Sequence, residues 1–557
     1  MSTSTAETIV DLFVDRVRSS ETAPALWIKR GEWTSLTWNE VSQDVYRTAA
    51  WLERCGVQPG DRVVQLSENR YEWIIVDLAI HLARAIHVPI HAPLTGEQVA
   101  YQVRDSGARM MLLSNAEQAG KLFATSDVLP DDLRVFSFEE CQAAPGSRPV
   151  EWFWEARADC DPATAQRLQD ASLAHLNGDS LATILYTSGT TGEPKGVMLT
   201  HRNLVSNTLG TVDAFGLEGD DLRLNFLPLS HIFARTCDLY TSIATGAQLA
   251  LAESRETVVA DCAAIRPTIL NGVPYFFDKV MRALTEAGKA DDPEALRDIL
   301  GGRIRMCCSG GAALPDHVFD FYTERDVPLL QGYGLTESSP VITLSSPTQV
   351  KRGAVGRTIP DVEVKIADDG EILTRGPHVM SGYYKDDAAT TELLRGGWLH
   401  TGDLGKIDDD GFLFITGRKK ELIVTSGGKN IAPVYLESLL TEDPLILQAV
   451  VLGDDKKFLS ALIVPDPEGL RREIDARKIA VMSAAAALKH NDVLKLFGER
   501  IADCLQSVSP YEQVRKFTLM DRGFTVESGE LTPKLTLRRE QIVAKCRSLI
   551  DAMYDES

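Results

Sequence analysis

No two cysteines in this chain form a Cys-x-x-Cys pair; its nine cysteines are scattered over 557 residues, with only Cys307 and Cys308 adjacent. That argues against a thiolate metal centre and a disulfide framework, and points to a reducing, intracellular setting. Basic charge is also scarce. Against 79 Asp and Glu stand 58 Lys and Arg, for a net charge of −21. Nucleic acid needs a cationic face, so it is not expected as a main partner, although a local basic pocket for an anionic cofactor remains compatible with this balance. The start, Met1-Ser2-Thr3-Ser4-Thr5, has neither a basic region nor an apolar run, so no signal peptide is expected. Long apolar runs are missing too. The most apolar stretch, Trp73–Pro89, is broken by Asp77, His81, Arg84 and His87, too short and too polar to span a membrane. Peripheral membrane contact is compatible with this pattern. No Gly-Lys pair is followed by Ser or Thr, which rules out a Walker A loop.

What the chain does have is ordinary globular material: 44% hydrophobic and 25% charged residues, enough for two to four domains. Through residue 350, apolar strand-like runs alternate with helical periodicity. Val10, Phe13, Val14 and Val17 share a helix face; Arg62–Leu66 and Met110–Leu113 read as strands around a helix near Tyr71–Arg84. Trp38 and Trp73 read as core aromatics, and the weakly periodic stretch Pro145–Ala171 as a surface excursion. Further strands are expected at Leu222–Phe226, Gln248–Ala252, Thr268–Leu270, Ile304–Cys308 and Leu329–Leu330. This is an α/β pattern with a largely parallel sheet. Several strands end in small or polar residues, which the fold class predicts to converge beyond the strand ends.

From about 350 to 417 the pattern becomes β-rich: Asp361–Ile366 alternates, and Asp369-Gly370 turns into Glu371–Arg375. The charged turn Gly417–Glu421 reads as a linker to a small α+β unit, with paired strands at Ala449–Leu452 and Leu459–Val464 and a helix face of Val493, Leu494, Phe497, Ile501, Cys504 and Leu505. A polar loop, Gly529–Arg539, leads into a final helix.

The stretch Tyr186-Thr187-Ser188-Gly189-Thr190-Thr191-Gly192-Glu193-Pro194-Lys195-Gly196 follows the apolar run Leu181–Leu185. Its glycines let a backbone approach an anion, its hydroxyls donate, and Lys195 supplies positive charge, so it suits a polyphosphate. Together with Tyr333-Gly334-Leu335-Thr336-Glu337, Thr401-Gly402-Asp403 and Gly417-Arg418-Lys419-Lys420-Glu421, in this order, it resembles the motif set of the adenylate-forming superfamily. Leu227–Phe233, Lys420–Pro433 and Leu531-Thr532-Pro533 look most like those of long-chain fatty acyl-CoA synthetases.

The resemblance implies a large N-terminal AMP-binding domain over 1–417, containing the β-rich subdomain, and a small mobile C-terminal AMP-binding domain over 418–557, hinged near Lys420. It implies ATP, Mg²⁺, coenzyme A and a fatty acid as ligands, and a cytoplasmic location. Thr187, Ser188, Gly189, Thr190, Thr191, Gly192 and Lys195 are expected to hold the β- and γ-phosphates. Thr336 is expected at the α-phosphate, and Glu337 at the metal with Thr187. Tyr333 is expected to stack on adenine beside Gly334, with Gly310, Gly311 and Ala312 admitting its edge. Asp403 and Arg418 are expected on the ribose, and His231 at the carboxylate end of the acyl site. Ser426, Gly427 and Gly428 are expected to border the pantetheine passage. One motif departs: Thr536 stands where the superfamily's adenylation lysine is usual, and Lys534, two residues earlier, faces the same side of an extended segment. Lys534 is therefore the expected catalytic lysine. Two rivals remain: a fatty acyl-AMP ligase that passes its product to a carrier protein, and a non-catalytic ligand-binding relative. Lys420 and Ser426–Gly428 favour coenzyme A.

Overall fold

The computed structural model describes residues 6–141, 148–157, 162–187, 193–525, 528–531 and 537–555. The expected residues Ser188, Gly189, Thr190, Thr191, Gly192 and Lys534 lie outside these. So does Thr536.

The alternating pattern folds into two large sheets flanked by helices. The eight-stranded sheet runs Gly382–Tyr383, Lys195–Thr200, Leu181–Thr187, Ile86–Ile90, Arg62–Leu66, Met110–Leu113, Arg134–Ser137, Val150–Trp152. It is parallel from Leu181–Thr187 to Val150–Trp152. Residues buried on both faces explain the unbroken apolar reading of Met110–Leu113. The nine-stranded sheet runs Arg357–Thr358, Val341–Leu344, Leu329–Gly334, Met306–Ser309, Ile269–Gly272, Leu222–Asn225, Gln248–Leu251, Pro24–Arg30, Glu32–Thr37. Its middle is parallel, so the strands ending at Asn225, Gly272, Ser309 and Gly334 finish on one edge.

A six-residue π-helical turn, Arg235–Tyr240, ties the two sheets together. The fully buried Arg235 guanidinium bonds to Asp77 and to the Thr183 hydroxyl (2.9 Å) on the eight-stranded side. Tyr240 and His87 add bonds of 3.0 and 2.7 Å to the same carboxylate. Three residues beyond Arg235, buried Asp238 accepts from Asn225 (2.9 Å) and Asn271 (2.7 Å) of the nine-stranded sheet and pairs with Arg223. Removing one member of such a buried pair costs about 3–5 kcal/mol, because the remaining charge is stranded.

A four-stranded antiparallel sheet follows: Glu363–Ile366, Glu371–Arg375, Leu399–Ile407, Leu413–Arg418. The last unit pairs Ile446–Leu452 antiparallel with Leu459–Pro465, and Val514–Leu519 parallel to the latter. Helices Pro433–Leu440 and Asn491–Cys504 supply Leu436 and Phe497 to its core. The expected α/β architecture with a β-rich subdomain and an α+β C-terminal unit is therefore what forms.

Several local expectations are corrected. The stretch Pro145–Ala171 is not a mere excursion, since Val150–Trp152 is an edge strand and Phe153 is fully buried beside Trp51. Helix Pro162–His175 is also part of it. A three-residue strand and a helix of weak amphipathicity leave little periodicity to read. The segment after Leu181–Thr187 returns as an antiparallel strand, Lys195–Thr200, so the glycine-rich stretch joins two strands of a hairpin. Gly332-Tyr333-Gly334 continues its strand because Val341–Leu344 doubles back to pair with it. Thr401–Asp403 also lies within a strand, and Gly417-Arg418 ends one rather than forming a free linker. The final helix is two, Arg539–Lys545 and Arg547–Asp555. Trp38 and Trp73 are buried, as expected. Among the described residues no helix is long and apolar enough to cross a membrane.

Buried histidines make the fold acid-sensitive. Burial lowers His378 to about 4; burial, partly opposed by Asp11, also lowers His201 to about 4. The unfolded chain takes up these protons near pH 6.5 and the folded chain does not. Their contribution is therefore complete above about pH 6.5 and is lost as pH falls toward 4, at about 3 kcal/mol per histidine. The urea unfolding midpoint is expected to fall steadily from pH 7 to pH 4.5, with a shallower slope in His378→Gln.

Candidate active site

The site is built around helix His201–Phe215. Thr200 caps it, accepting from Asn203 N (3.2 Å), while Asn203 Oδ1 accepts from Thr200 N (2.8 Å). The Asn203 amide then donates to Pro377 O and Val379 O, both at 2.8 Å. One turn on, fully buried Asn207 donates to Val341 O (2.7 Å) and Ser338 O (3.3 Å), and accepts from Val341 N (3.1 Å). Residues four apart share a helix face, so one face grips two distant segments at once. Those segments also hold each other: Met380 N donates to Glu337 O (2.9 Å) and Ser339 Oγ to His378 O (2.8 Å). Ser381 N and Tyr384 N then bond to Met198 O and Gly196 O of the hairpin at 3.0 and 2.7 Å.

This scaffold joins expected residues into three groups. In the first, the Tyr333 hydroxyl donates to Asp403 Oδ2 (2.7 Å) and Arg418 Nε lies 3.0 Å from Asp403 Oδ1. Asp403 and Arg418 are register partners on adjacent strands. Burial pushes the Asp403 carboxyl above its ordinary value, and Arg418 and Tyr333 only partly pull it back. Arg418 is raised chiefly by Asp403, and Glu421, Tyr333 and Glu337 add to that. Gly334 is required here: a Cβ would lie 1.7 Å from Pro340 O.

In the second group, the Tyr383 hydroxyl donates to Glu337 Oε1 (2.8 Å), and Lys195 Nζ sits 5.1 Å from the centroid of the same ring. Lys195 also lies 3.4 Å from Asp386, a pair too exposed to matter much for stability. Thr187 is the register partner of Lys195 across the hairpin. Glu337 Oε2 carries no hydrogen bond among the described residues, and Thr336 is its neighbour in the short turn Thr336–Ser338. One carboxylate with nearby threonine hydroxyls suits Mg²⁺, which keeps most of its shell for water and phosphate oxygens. No cluster of three or more His, Cys, Asp or Glu able to hold a metal occurs among the described residues.

In the third, His231 Nδ1 accepts from Phe233 N (3.3 Å) after the strand Leu222–Asn225. The Phe233 ring lies against Gly310, where a Cβ would come within 2.9 Å of it. Gly310 is thus buried against that ring, whereas Gly311 and Ala312 are exposed. Ser426, Gly427 and Gly428 form an exposed turn between Ile423–Val424 and Asn430–Ile431, and Lys420 is exposed in the turn Lys419–Glu421. No described contact joins them to the other groups.

Sequence reading missed Asn203, Asn207 and Tyr383. Asn203 had a signal, the Thr-x-x-Asn spacing of a helix start; Asn207 and Tyr383 had none, because their partners are remote in sequence.

This α/β scaffold and its ordered motifs define a class, and the chain belongs to it, the family of AMP-binding enzymes. The AMP-binding enzyme family model matches residues 13–384, and the AMP-binding enzyme C-terminal domain model matches residues 420–557. Asp403 and Arg418 fall between the two matches. Among similar proteins, the long-chain-fatty-acid–CoA ligase FadD15 of Mycobacterium bovis is 36% identical, covering 94% of this chain and 93% of its own. The long-chain-fatty-acid–CoA ligase ACSBG2 of Rattus norvegicus is 28% identical, covering 99% and 93%. The fold is shared with an anthranilate CoA ligase in complex with anthranoyl-AMP, AuaEII (TM-score 0.79, 20% identity, 98% of each chain). It is also shared with a Mycobacterium tuberculosis fatty acyl CoA synthetase (TM-score 0.68, 24% identity, 97% and 99%).

Tyr333→Phe deletes the donor to a buried carboxylate. The expected cost is about 2 kcal/mol, read as a thermal unfolding transition lowered by a few degrees, whereas Tyr435→Phe on the exposed surface leaves it unchanged.

Proposed function

We propose that this chain is an AMP-forming long-chain fatty acid–coenzyme A ligase. The observation that carries the reading is the assembly of Tyr333, Asp403 and Arg418 beside Glu337, Tyr383 and Lys195. Residues from four separate motifs thereby supply a flat aromatic, an acceptor for hydroxyls, a metal-binding acid and a phosphate cation. The fatty-acid half rests on the names of the relatives.

In the first half-reaction a fatty carboxylate attacks the α-phosphorus of ATP, and pyrophosphate leaves. Two anions must meet, so the work is positioning and charge neutralisation. Asp403 accepts from the ribose hydroxyls and Tyr333 covers adenine. Lys195 and the hairpin loop hold the departing phosphates, and Thr336 donates at the α-phosphate. Glu337, with Thr187, would hold Mg²⁺, which would supply neutralising charge to the phosphate oxygens. His231 orients the carboxylate. In the second half-reaction the thiol of coenzyme A attacks the acyl carbon, the mixed-anhydride C–O bond breaks and AMP leaves. The C-terminal unit turns about Lys420 between the two, bringing Ser426–Gly428 to the pantetheine path in place of Lys534. The domain limits are 1–417 and 418–557. The eight described cysteines form no disulfide, which fits a cytoplasmic setting.

With coenzyme A as the only thiol, AMP release across acids from acetate to oleate is expected to rise with chain length and to yield acyl-CoA. Acyl-adenylate accumulating without thioester would assign the chain to carrier-protein transfer instead. Lys534→Ala is expected to lower ATP–pyrophosphate exchange about a hundredfold while ATP still binds. Undiminished exchange would move the role to Arg538, because the Arg539 guanidinium is committed to Glu437 (2.6 and 2.9 Å) and Val451 O (2.8 Å).

A further inference from the structure

Glu337 and Lys195 carry opposite charges and meet the same side chain, yet no ion pair joins them among the described residues. A direct Glu–Lys pair would neutralise both and leave each less able to serve a metal or a phosphate. Tyr383 separates these tasks. Its hydroxyl holds one oxygen of Glu337, and its ring face takes the ammonium of Lys195.

The backbone makes this arrangement specific. Tyr383 is the register partner of Val197 across the antiparallel pair Gly382–Tyr383 and Lys195–Thr200. Residues two apart on a strand share a face, so Lys195 is a diagonal neighbour of Tyr383. Tyr383 N donates to Thr390 Oγ1 (2.8 Å), and Thr390 Oγ1 donates to Asp386 O (2.8 Å). The same Asp386 caps helix Asp387–Leu393 by accepting from Ala389 N (3.0 Å) and offers its other oxygen to Lys195. Only 8% of Tyr383 is exposed, so its hydroxyl and ring face are held between Glu337 and Lys195.

We propose that Tyr383 is a positioning residue for phosphate and metal. It aims Glu337 with Oε2 open and keeps Lys195 from collapsing onto that carboxylate. The proposal rests on the ligase reading above.

The test compares wild type with Tyr383→Phe, which removes only the hydroxyl, and Tyr383→Leu, which removes the ring as well. The first readout is Mn²⁺ affinity by electron paramagnetic resonance with a non-hydrolysable ATP analogue present. The second is the separation of kcat from the KM for ATP in fatty-acid-dependent ATP–pyrophosphate exchange. Tyr383→Phe is expected to weaken Mn²⁺ binding roughly tenfold with the KM for ATP nearly unchanged, the usual size for a lost outer-shell partner. Tyr383→Leu is expected to weaken Mn²⁺ similarly and to raise the KM for ATP as well. Purely structural damage would lower unfolding temperature without this split.

Mn²⁺ affinity in Tyr383→Phe within twofold of wild type overturns the proposal and leaves the ligase reading standing. Equal effects of the two variants on both readouts also overturn it. If wild type binds neither the analogue nor Mn²⁺ with it, the nucleotide reading fails and takes the proposal with it.

Discussion

Two asparagines one helical turn apart hold the candidate site together. Asn203 and Asn207 each use both ends of a side-chain amide, and between them they bond backbone groups of residues 338, 341, 377 and 379. Those segments carry Glu337 on one side and Tyr383 on the other. The helix begins where the strand Lys195–Thr200 ends, so Lys195 is tied to the same frame. Amide bonds to buried carbonyls are individually modest, but an unmet buried partner is expensive, which makes the arrangement all-or-none.

The π-helical turn Arg235–Tyr240 plays the equivalent part at larger scale. A normal α-turn spaces side chains differently; the wider turn presents Arg235 to Asp77 and Asp238 to Asn225, Asn271 and Arg223. Both sheets are thereby locked across a buried polar layer. Phe233 lies just before this turn, so its placement against Gly310 is inherited from it. The Asp77 carboxylate, held low against the cost of burial by Arg235 and the hydrogen bond to His87, stays charged in a fully enclosed place.

Each cation of the candidate site is paired locally with a carboxylate. In a chain of net charge −21, Arg418 stands against Asp403, and Lys195 stands near Asp386 and the ring of Tyr383. Asp403 differs from a surface acid in that burial raises it while two donors restrain it, a balance that a bound ribose would complete.

Local chemistry made much of this legible from residues alone. Unbroken apolar runs became buried parallel strands and Val493 through Leu505 became a helix face; hydroxyls, glycines and charge pointed to Lys195 and its loop, while Tyr333, Glu337, Asp403 and Arg418 were singled out by the resemblance of their motifs to a known superfamily. Tertiary structure decided the rest. That Gly332–Gly334 is strand depends on Val341–Leu344 returning to pair with it. That Gly310 faces Phe233 depends on two strand ends meeting. That Tyr383 stands between Glu337 and Lys195 depends on a two-residue strand finding its place beside Val197 and Met198. Each of these joins residues far apart in the chain through hydrogen bonds and packing, and such pairings leave no periodicity for a sequence to display.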